Sequence, residues 1–230
     1  MTSIYGNGTY LKNQPTWHAE DSPWKASQVV KMLERNSLNP RTICEVGCGA
    51  GEILNTLSGC LGQGTQFTGY EVSPQAFELC KSRAKENLAF YLADLLTENA
   101  QHFDLVMAID VFEHVEDYLG FLRALRSKGD YKLFHIPLDL SVLRVLRGRP
   151  IVKARRSLGH IHYFTKETAL ASLRDTGYSV LDHFYTGPAD ALSRRWKSRI
   201  LGPLRKALFS MKPDMTVRVL GGYSLMVLAR

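Results

Sequence analysis

The chain has 230 residues, 45% of them apolar and 22% charged, which suits one domain with appendages and argues against a disordered protein. No run approaches the roughly 18 apolar residues that a membrane span needs, and residues 1–14 lack the apolar stretch of a signal peptide, so a cytosolic location is expected. Cys44, Cys48, Cys60 and Cys80 form no C-x-x-C pair, which excludes a zinc knuckle and points to reduced thiols rather than a disulfide framework. The net charge of +7 is unevenly placed: residues 143–159 hold six Lys/Arg and no acid, residues 190–212 hold seven with only Asp190, and the remainder nets −5. An anionic partner would therefore meet two late segments, not the core.

In chain order, Ser22-Pro23 is expected to cap and open a helix reaching residue 36, with Trp24, Val29, Val30 and Leu33 at helical spacing. Thr42–Val46 reads as a strand running into glycines, 52–61 as a helix and Gln66–Glu71 as a strand, after which Ser73-Pro74 opens a capped helix containing Phe77 and Cys80. Leu88–Leu92 and Phe103–Ile109 follow as strands, Tyr118–Leu125 as a helix, and residues 131–136 as a strand ended by Pro137. Such alternation implies βαβ units and a parallel sheet. Residues 138–164 are basic and broken by Pro and Gly, as an insertion over the carboxyl edge of the sheet would be. Thr165 caps a helix closed by Gly177, and residues 178–185 and 216–228 read as two final strands paired as a hairpin. Between these strands, Leu192, Trp196, Ile200, Leu204 and Leu208 recur every fourth residue among six basic residues. That pattern is a basic amphipathic helix that Gly202-Pro203 should kink or split, and such a helix can rest on an anionic membrane or pack on the domain.

Three features carry chemistry. The first is Glu45-x-Gly47-x-Gly49-x-Gly51 between a strand and a helix, where glycines allow a tight turn and helix N–H groups face an anion. The spacing is not the G-x-G-x-x-G of dinucleotide sites, which favours a different adenosine ligand. The second is Glu71, 20 residues after Gly51 at the end of the next strand, where an acid can accept both ribose hydroxyls; an ordinary strand-end carboxylate is the alternative. The third is Asp94, after the third strand, suited either to an adenine amino group or to a helix cap.

With Asp110-Val111-Phe112-Glu113-His114 after strand four, the order of motifs resembles the class I S-adenosylmethionine-dependent methyltransferases, over roughly residues 40–137. The likeness is greatest to the branch of ubiquinone-type O-methyltransferases and bacterial small-molecule and glycan methyltransferases. Gly159-His160-Ile161-His162-Tyr163-Phe164-Thr165 matches a further block of that family. The resemblance implies a Rossmann-like α/β fold, with a seven-stranded, mostly parallel sheet, helices on both faces and the last strand antiparallel. Its divisions are an N-terminal lid (1–38), a cofactor-binding core (39–137), an insertion (138–164), and C-terminal helices with a hairpin (165–230). It also implies S-adenosylmethionine as cofactor and S-adenosylhomocysteine as product. Glu45, Gly47, Cys48, Gly49 and Gly51 would cradle the methionine end, Glu71 and Val72 the ribose, Asp94 and Leu95 the adenine, with Asp110 near the sulfonium.

The absence of Asn/Asp-Pro-Pro-Tyr after strand four argues against methylation of adenine or glutamine amide nitrogen, and the absence of a Pro-Cys nucleophile argues against cytosine C5 chemistry. Oxygen, or less readily nitrogen, of a small-molecule or glycan acceptor remains. A hydroxyl acceptor needs a base, for which His114 and then His160 are the candidates, while Trp17, His18 and His162 are candidates for acceptor contact. No metal is assigned: ubiquinone-type relatives link a cation to the Glu-His pair and the preceding acid, but Asp110, Glu113 and His114 cannot all face one point on a regular helix. The basic segments suit a phosphate-bearing acceptor such as a nucleotide- or lipid-linked sugar, with peripheral membrane contact through residues 190–210. Nucleic acid is not favoured, for want of an RNA-binding appendage. The rival readings are a methyltransferase acting on RNA or protein and a non-catalytic S-adenosylmethionine-binding partner protein. The sequence sets no oligomeric state.

Overall fold

The computed structural model describes residues 16–17, 19–62, 64–98, 101–187 and 196–230, with side chains in the last stretch from residue 202. In chain order the elements are α1 (Ser22–Arg35), β1 (Thr42–Val46), α2 (Glu52–Cys60), β2 (Gln66–Glu71), α3 (Pro74–Cys80), β3 (Leu88–Leu92), β4 (Phe103–Ile109), α4 (Tyr118–Leu125) and β5 (Gly129–Pro137). There follow α5 (Val142–Arg147), α6 (Arg149–Ser157), α7 (Lys166–Asp175), β6 (Val180–Thr186), α8 (Trp196–Met211), α9 (Pro213–Leu220) and β7 (Ser224–Ala229).

Among the described residues the seven strands form one sheet in the order β3-β2-β1-β4-β5-β7-β6. Pairing is parallel throughout except for β7, which runs antiparallel to both β5 and β6. Chain order reverses between β1 and β4, so the loops at their carboxyl ends diverge and leave a crevice, the usual place for a ligand in such a sheet.

Strand alternation builds a core on each face. In β4, Val106 and Ala108 join one buried cluster, while Leu105, Met107 and Ile109 join the other. In β7, Leu225, Val227 and Ala229 divide from Met226 and Leu228 in the same way. The first cluster includes Phe121 and Leu122 of α4, Leu170 and Leu173 of α7, and Val217 of α9. The second takes Ala26, Val29, Met32 and Leu33 from α1, and Leu54 and Leu57 from α2. Each fully buried leucine contributes about 1.5–3 kcal/mol, which overrides the modest helix preference of these short segments.

Local signals account for most boundaries. The Ser73 hydroxyl accepts the Ala76 N–H at the start of α3, and the Thr165 hydroxyl accepts that of Thr168 at the start of α7. Three expectations are corrected. Residues 216–220, which alternate like a strand, are helical, because Pro213 opens α9 and the positive-φ glycines Gly221 and Gly222 stop it just before β7. Asp21, not Ser22, holds the N-cap position of α1, after a single 3-10 turn at Ala19–Asp21. Finally, α8 runs through Pro203 as one helix. Leu192, Arg194 and Arg195 lie outside the described residues.

All four cysteines are free thiols, and only Cys60 is exposed. Among the described residues no helix is long and apolar enough to cross a membrane.

Candidate active site

β1 turns into α2 through Gly47, Gly49 and Gly51, all left-handed, with φ of +66°, +55° and +76°. At Gly51 a side chain is doubly excluded, since a Cβ would lie 2.6 Å from the Phe90 ring and 2.8 Å from Cys80 Cβ. The N–H groups of Gly47 and Cys48 donate to the Tyr70 carbonyl at 2.8 and 3.1 Å, which ties the loop to β2. Glu71 ends that strand and accepts from Gly49 N and Ser73 N, each at 2.8 Å. Burial raises its carboxyl above the ordinary value against the pull of those backbone donors.

Beyond this loop lies a cavity of about 490 Å³, lined by Trp17, Lys25, Glu45, the glycine loop, Glu71, Val72, Asp110, His114, His135 and His160. The Trp17 indole hangs over Gly49, with Cε3 3.8 Å from where a Cβ would stand. Not every candidate converges here. Asp94 is exposed and caps its own turn by accepting from Leu96 N at 2.9 Å, while Leu95 is packed wholly into the core. The Nε2–H of His162 donates to the carbonyls of Val115 and Glu116, at 2.9 and 3.2 Å, and its ring lies 4.6 Å from that of Tyr118, away from the cavity lining. His18 lies outside the described residues.

The cavity wall holds two carboxyls in opposite states, the half-buried Asp110 and the buried Glu45. Asp110, at the end of β4 with φ +54°, accepts from His135 Nδ1 at 2.6 Å and pairs with Lys25 Nζ at 2.9 Å. Burial opposes its ionisation, but the His135 Nδ1–H and the Lys25 ammonium beside it prevail and hold the carboxyl far below the usual range. The Lys25 ammonium is raised in turn, Asp110 outweighing the cost of its burial. His135 Nε2 accepts the Thr186 hydroxyl at 2.9 Å, so α1, β4, β5 and β6 share one network. Glu45 is only 1% exposed, has no hydrogen-bond partner for Oε2, and is pushed up to about 8 by burial.

The third group follows β4 in a 3-10 turn, Phe112–His114. The Glu113 carbonyl accepts from Ile161 N and His162 N at 2.9 and 3.1 Å, drawing the segment after α6 alongside, and the His114 and His160 rings meet edge to face at 4.9 Å. His160 Nδ1 bonds to Asp139 Oδ2 at 2.6 Å, and Asp139 is itself held by Arg144. Burial pushes the His160 imidazole down to about 4. It is therefore neutral near pH 7, with Nδ1–H on Asp139 and the Nε2 lone pair free of its own proton. Glu113 is fully buried with neither carboxylate oxygen hydrogen-bonded, and burial raises its carboxyl well above the usual range. His114 Nε2 stands 3.7 Å from it.

Glu113, His114 and His160 offer ligand atoms within 4.8 Å of one another. Asp110, Glu113 and His114, the set linked to a cation in ubiquinone-type relatives, do not meet here, since Asp110 is committed to Lys25 and His135, and His160 stands in its place. A buried carboxyl without a hydrogen-bond partner, two imidazoles, and Asp139 behind one of them make a donor set that fits a divalent cation.

Sequence reasoning missed Lys25, His135, Asp139 and Thr186. The available signals were a histidine inside the apolar run Leu133-Phe134-His135-Ile136 and an acid two residues after Pro137. Lys25 and Thr186 gave none, because their roles depend on neighbours distant in sequence.

Comparison with known proteins agrees with this geometry. Residues 18–183 match the family described as "Methyltransferase domain". The chain is 29% identical over 94 residues to a ubiquinone biosynthesis O-methyltransferase of Coxiella burnetii (strain Dugway 5J108-111), covering 38% of this chain and 39% of that protein. It thus spans about two fifths of the length of the curated relatives it matches. Among solved structures, magnesium protoporphyrin IX methyltransferase from Synechocystis PCC 6803, with bound S-adenosylhomocysteine, superposes with a TM-score of 0.62 at 18% identity, over 91% of this chain and 83% of that one. The putative methyltransferase in complex with the Haloferax volcanii Trm112 activator gives 0.65 at 14% identity, over 100% and 96%. The sheet order, the glycine loop and a family match over most of its length place the chain in the methyltransferase-domain family, as a class I S-adenosylmethionine-dependent methyltransferase.

Proposed function

We propose that the chain transfers the methyl group of S-adenosylmethionine to a hydroxyl oxygen of a small or glycan-type acceptor. The observation that carries this reading is the Asp139–His160 pair beside His114 on the cavity wall. The sulfonium already supplies an activated methyl group, so the protein's tasks are alignment, exclusion of water and, for an alcohol, removal of one proton. A carboxylate on Nδ1 fixes the tautomer in which Nε2 takes that proton, the arrangement that orients a base in many hydroxyl-activating sites. His160 is accordingly the base and Asp139 its positioning residue, with His114 packed against the base and bordering the acceptor.

At the other end of the cavity, Glu71 would receive the ribose hydroxyls and Glu45 the cationic methionyl group, while Trp17 closes the loop from above. A divalent cation held by Glu113, His114 and His160 would occupy the same His160 Nε2 lone pair and polarise the acceptor oxygen in place of the base, so the cation and the His160 base are alternatives at one site. The basic segments support a phosphate-bearing acceptor, such as a nucleotide- or lipid-linked sugar, and the expected membrane contact through residues 190–210 keeps exposed Leu204 and Leu208 in its support.

The test is turnover against hydroxyl acceptors with and without phosphate, using wild type, His160→Ala and Asp139→Asn. Loss of turnover in the variants with unchanged cofactor affinity supports the reading. Unchanged turnover in His160→Ala, or transfer only to amines, RNA or protein, overturns it.

A further inference from the structure

The two helices of the insertion, α5 and α6, are unusual in what they leave uncovered. In α5, Val142, Val145 and Leu146 share one helix face, and Val145 and Leu146 are 55% and 78% exposed. In α6, Arg149, Val152, Lys153 and Arg156 share a face and, with Ser157, line a hollow of about 360 Å³. Gly148, with φ +60°, turns one helix into the other.

Single exposed aliphatic side chains are ordinary on a protein surface, but several of them interleaved with unneutralised cations are not. Arg147, Arg149, Lys153, Arg155 and Arg156 are all exposed. No acid occurs between Asp139 and Glu167, and among the described residues none of these five makes an ion pair. A solvated helix face would carry acids to offset like-charge repulsion at this spacing.

We propose that α5 and α6 dock the enzyme on an anionic lipid bilayer, with Val142, Val145, Leu146 and Val152 entering the interface and Arg149, Lys153 and Arg156 taking lipid phosphates. Two features favour a bilayer over nucleic acid. The exposed aliphatic groups would be wasted on a polynucleotide, and residues 138–162 contain no Phe, Tyr or Trp on which a base could stack. The consequence for the site is direct: α6 ends at Ser157, and Leu158 and His160 line the reaction cavity. Docking would set the cavity mouth at the lipid surface. The proposal does not depend on the acceptor, because vesicle binding requires no turnover.

The full chain would be sedimented with vesicles of pure phosphatidylcholine and with vesicles containing phosphatidylglycerol, at low and high salt. Binding to the anionic vesicles only, weakened by salt, is expected. Both Val145→Glu with Leu146→Glu, and Lys153→Glu with Arg156→Glu, should lower the partition by at least about tenfold, while S-adenosylmethionine affinity, read by calorimetry, stays unchanged and shows the variants folded. A charge reversal far from the insertion, Lys81→Glu, should leave partition unaltered. Failure of the wild type to bind anionic vesicles, or binding undiminished by Val145→Glu with Leu146→Glu, overturns the proposal. So does a single-stranded oligonucleotide or inorganic pyrophosphate bound through Lys153 and Arg156 with no vesicle binding.

Discussion

Residues 39–137 carry eight Lys/Arg against thirteen Asp/Glu, whereas residues 138–230 carry seventeen against six. The cavity lies on the seam between these halves, with Glu45, Glu71 and Asp110 on one side and His160, from the basic half, on the other. S-adenosylmethionine is itself a cation, so the acidic half draws the methyl donor while the basic half suits an anionic acceptor. The halves also differ in how they hold charge. Glu45 and Glu71 are buried, Asp110 is half-buried, and all three are tuned by close neighbours, while the cations of α6 are exposed and, among the described residues, unpaired. Effects on donor binding should therefore be local and pH-dependent, and effects on acceptor docking diffuse and salt-dependent.

The sharpest separation of the halves is His160→Ala. Loss of a general base should lower kcat by roughly 10²- to 10⁴-fold, with S-adenosylmethionine affinity changed less than about twofold, as read by single-turnover kinetics beside calorimetry. A parallel loss of cofactor affinity would mean that the division is false. Next in size, Glu71→Ala removes an acceptor of charge-assisted hydrogen bonds worth about 1.5–3 kcal/mol, so the dissociation constant should rise roughly 10- to 100-fold, measured by titration. An unchanged constant would remove Glu71 from the cofactor site.

Glu45 supplies a pH test. Its carboxyl, raised to about 8, is protonated at neutral pH, and a cationic ligand is better matched by the ionised form. Affinity should rise by up to about tenfold per unit from pH 6 towards 8 and level off above. Folding of the empty protein has the opposite sign. The unfolded glutamate ionises near ~4.3, so the stability contributed by the protonated folded form is complete below that and is lost as pH climbs to about 8. A pH-independent affinity over this interval would sink the assignment. The smallest effect is expected of Glu113→Gln, which removes an ionisable carboxyl that has no hydrogen-bond partner. Denaturant unfolding should find stability near pH 7 unchanged or raised by about 1 kcal/mol. A loss above about 2 kcal/mol would show that the carboxylate is held by an interaction the wild type cannot spare.

Much of the core was legible because its strand ends are marked. Pro137 closes β5 and the glycines close β1, and Glu45, Gly47, Glu71, Asp110 and His114 converge as their order along the chain implies. The misreading of residues 216–220 has a physical origin, since Val217-Arg218-Val219 fits a two-residue period as well as a helical one, and only Pro213 and the glycine pair decide between them. His160 and His162 looked equivalent in sequence. They separate because the segment bonds to the Glu113 carbonyl, which leaves His160 facing the cavity and His162 capping the carbonyls of Val115 and Glu116. Lys25 and Thr186 became visible only when strand order brought α1 and β6 to the end of β4.

That network also has a consequence in time. Lys25 reaches its partner through β4, and β4 through His135 reaches Thr186, so the last member is made 161 residues after the first. Because β6 joins the sheet only through β7, which ends at Ala229, 204 residues after Lys25, the nascent helix α1 waits on the order of 10 to 40 s, at a synthesis rate of roughly 5–20 residues per second, before its lysine can be completely enclosed. All the glycine-loop motifs have emerged well before then, but the wall of the cavity has not. Capture of the methyl donor on the ribosome would thus report that the sheet has closed, making ligand binding a clock for the end of folding rather than for its beginning.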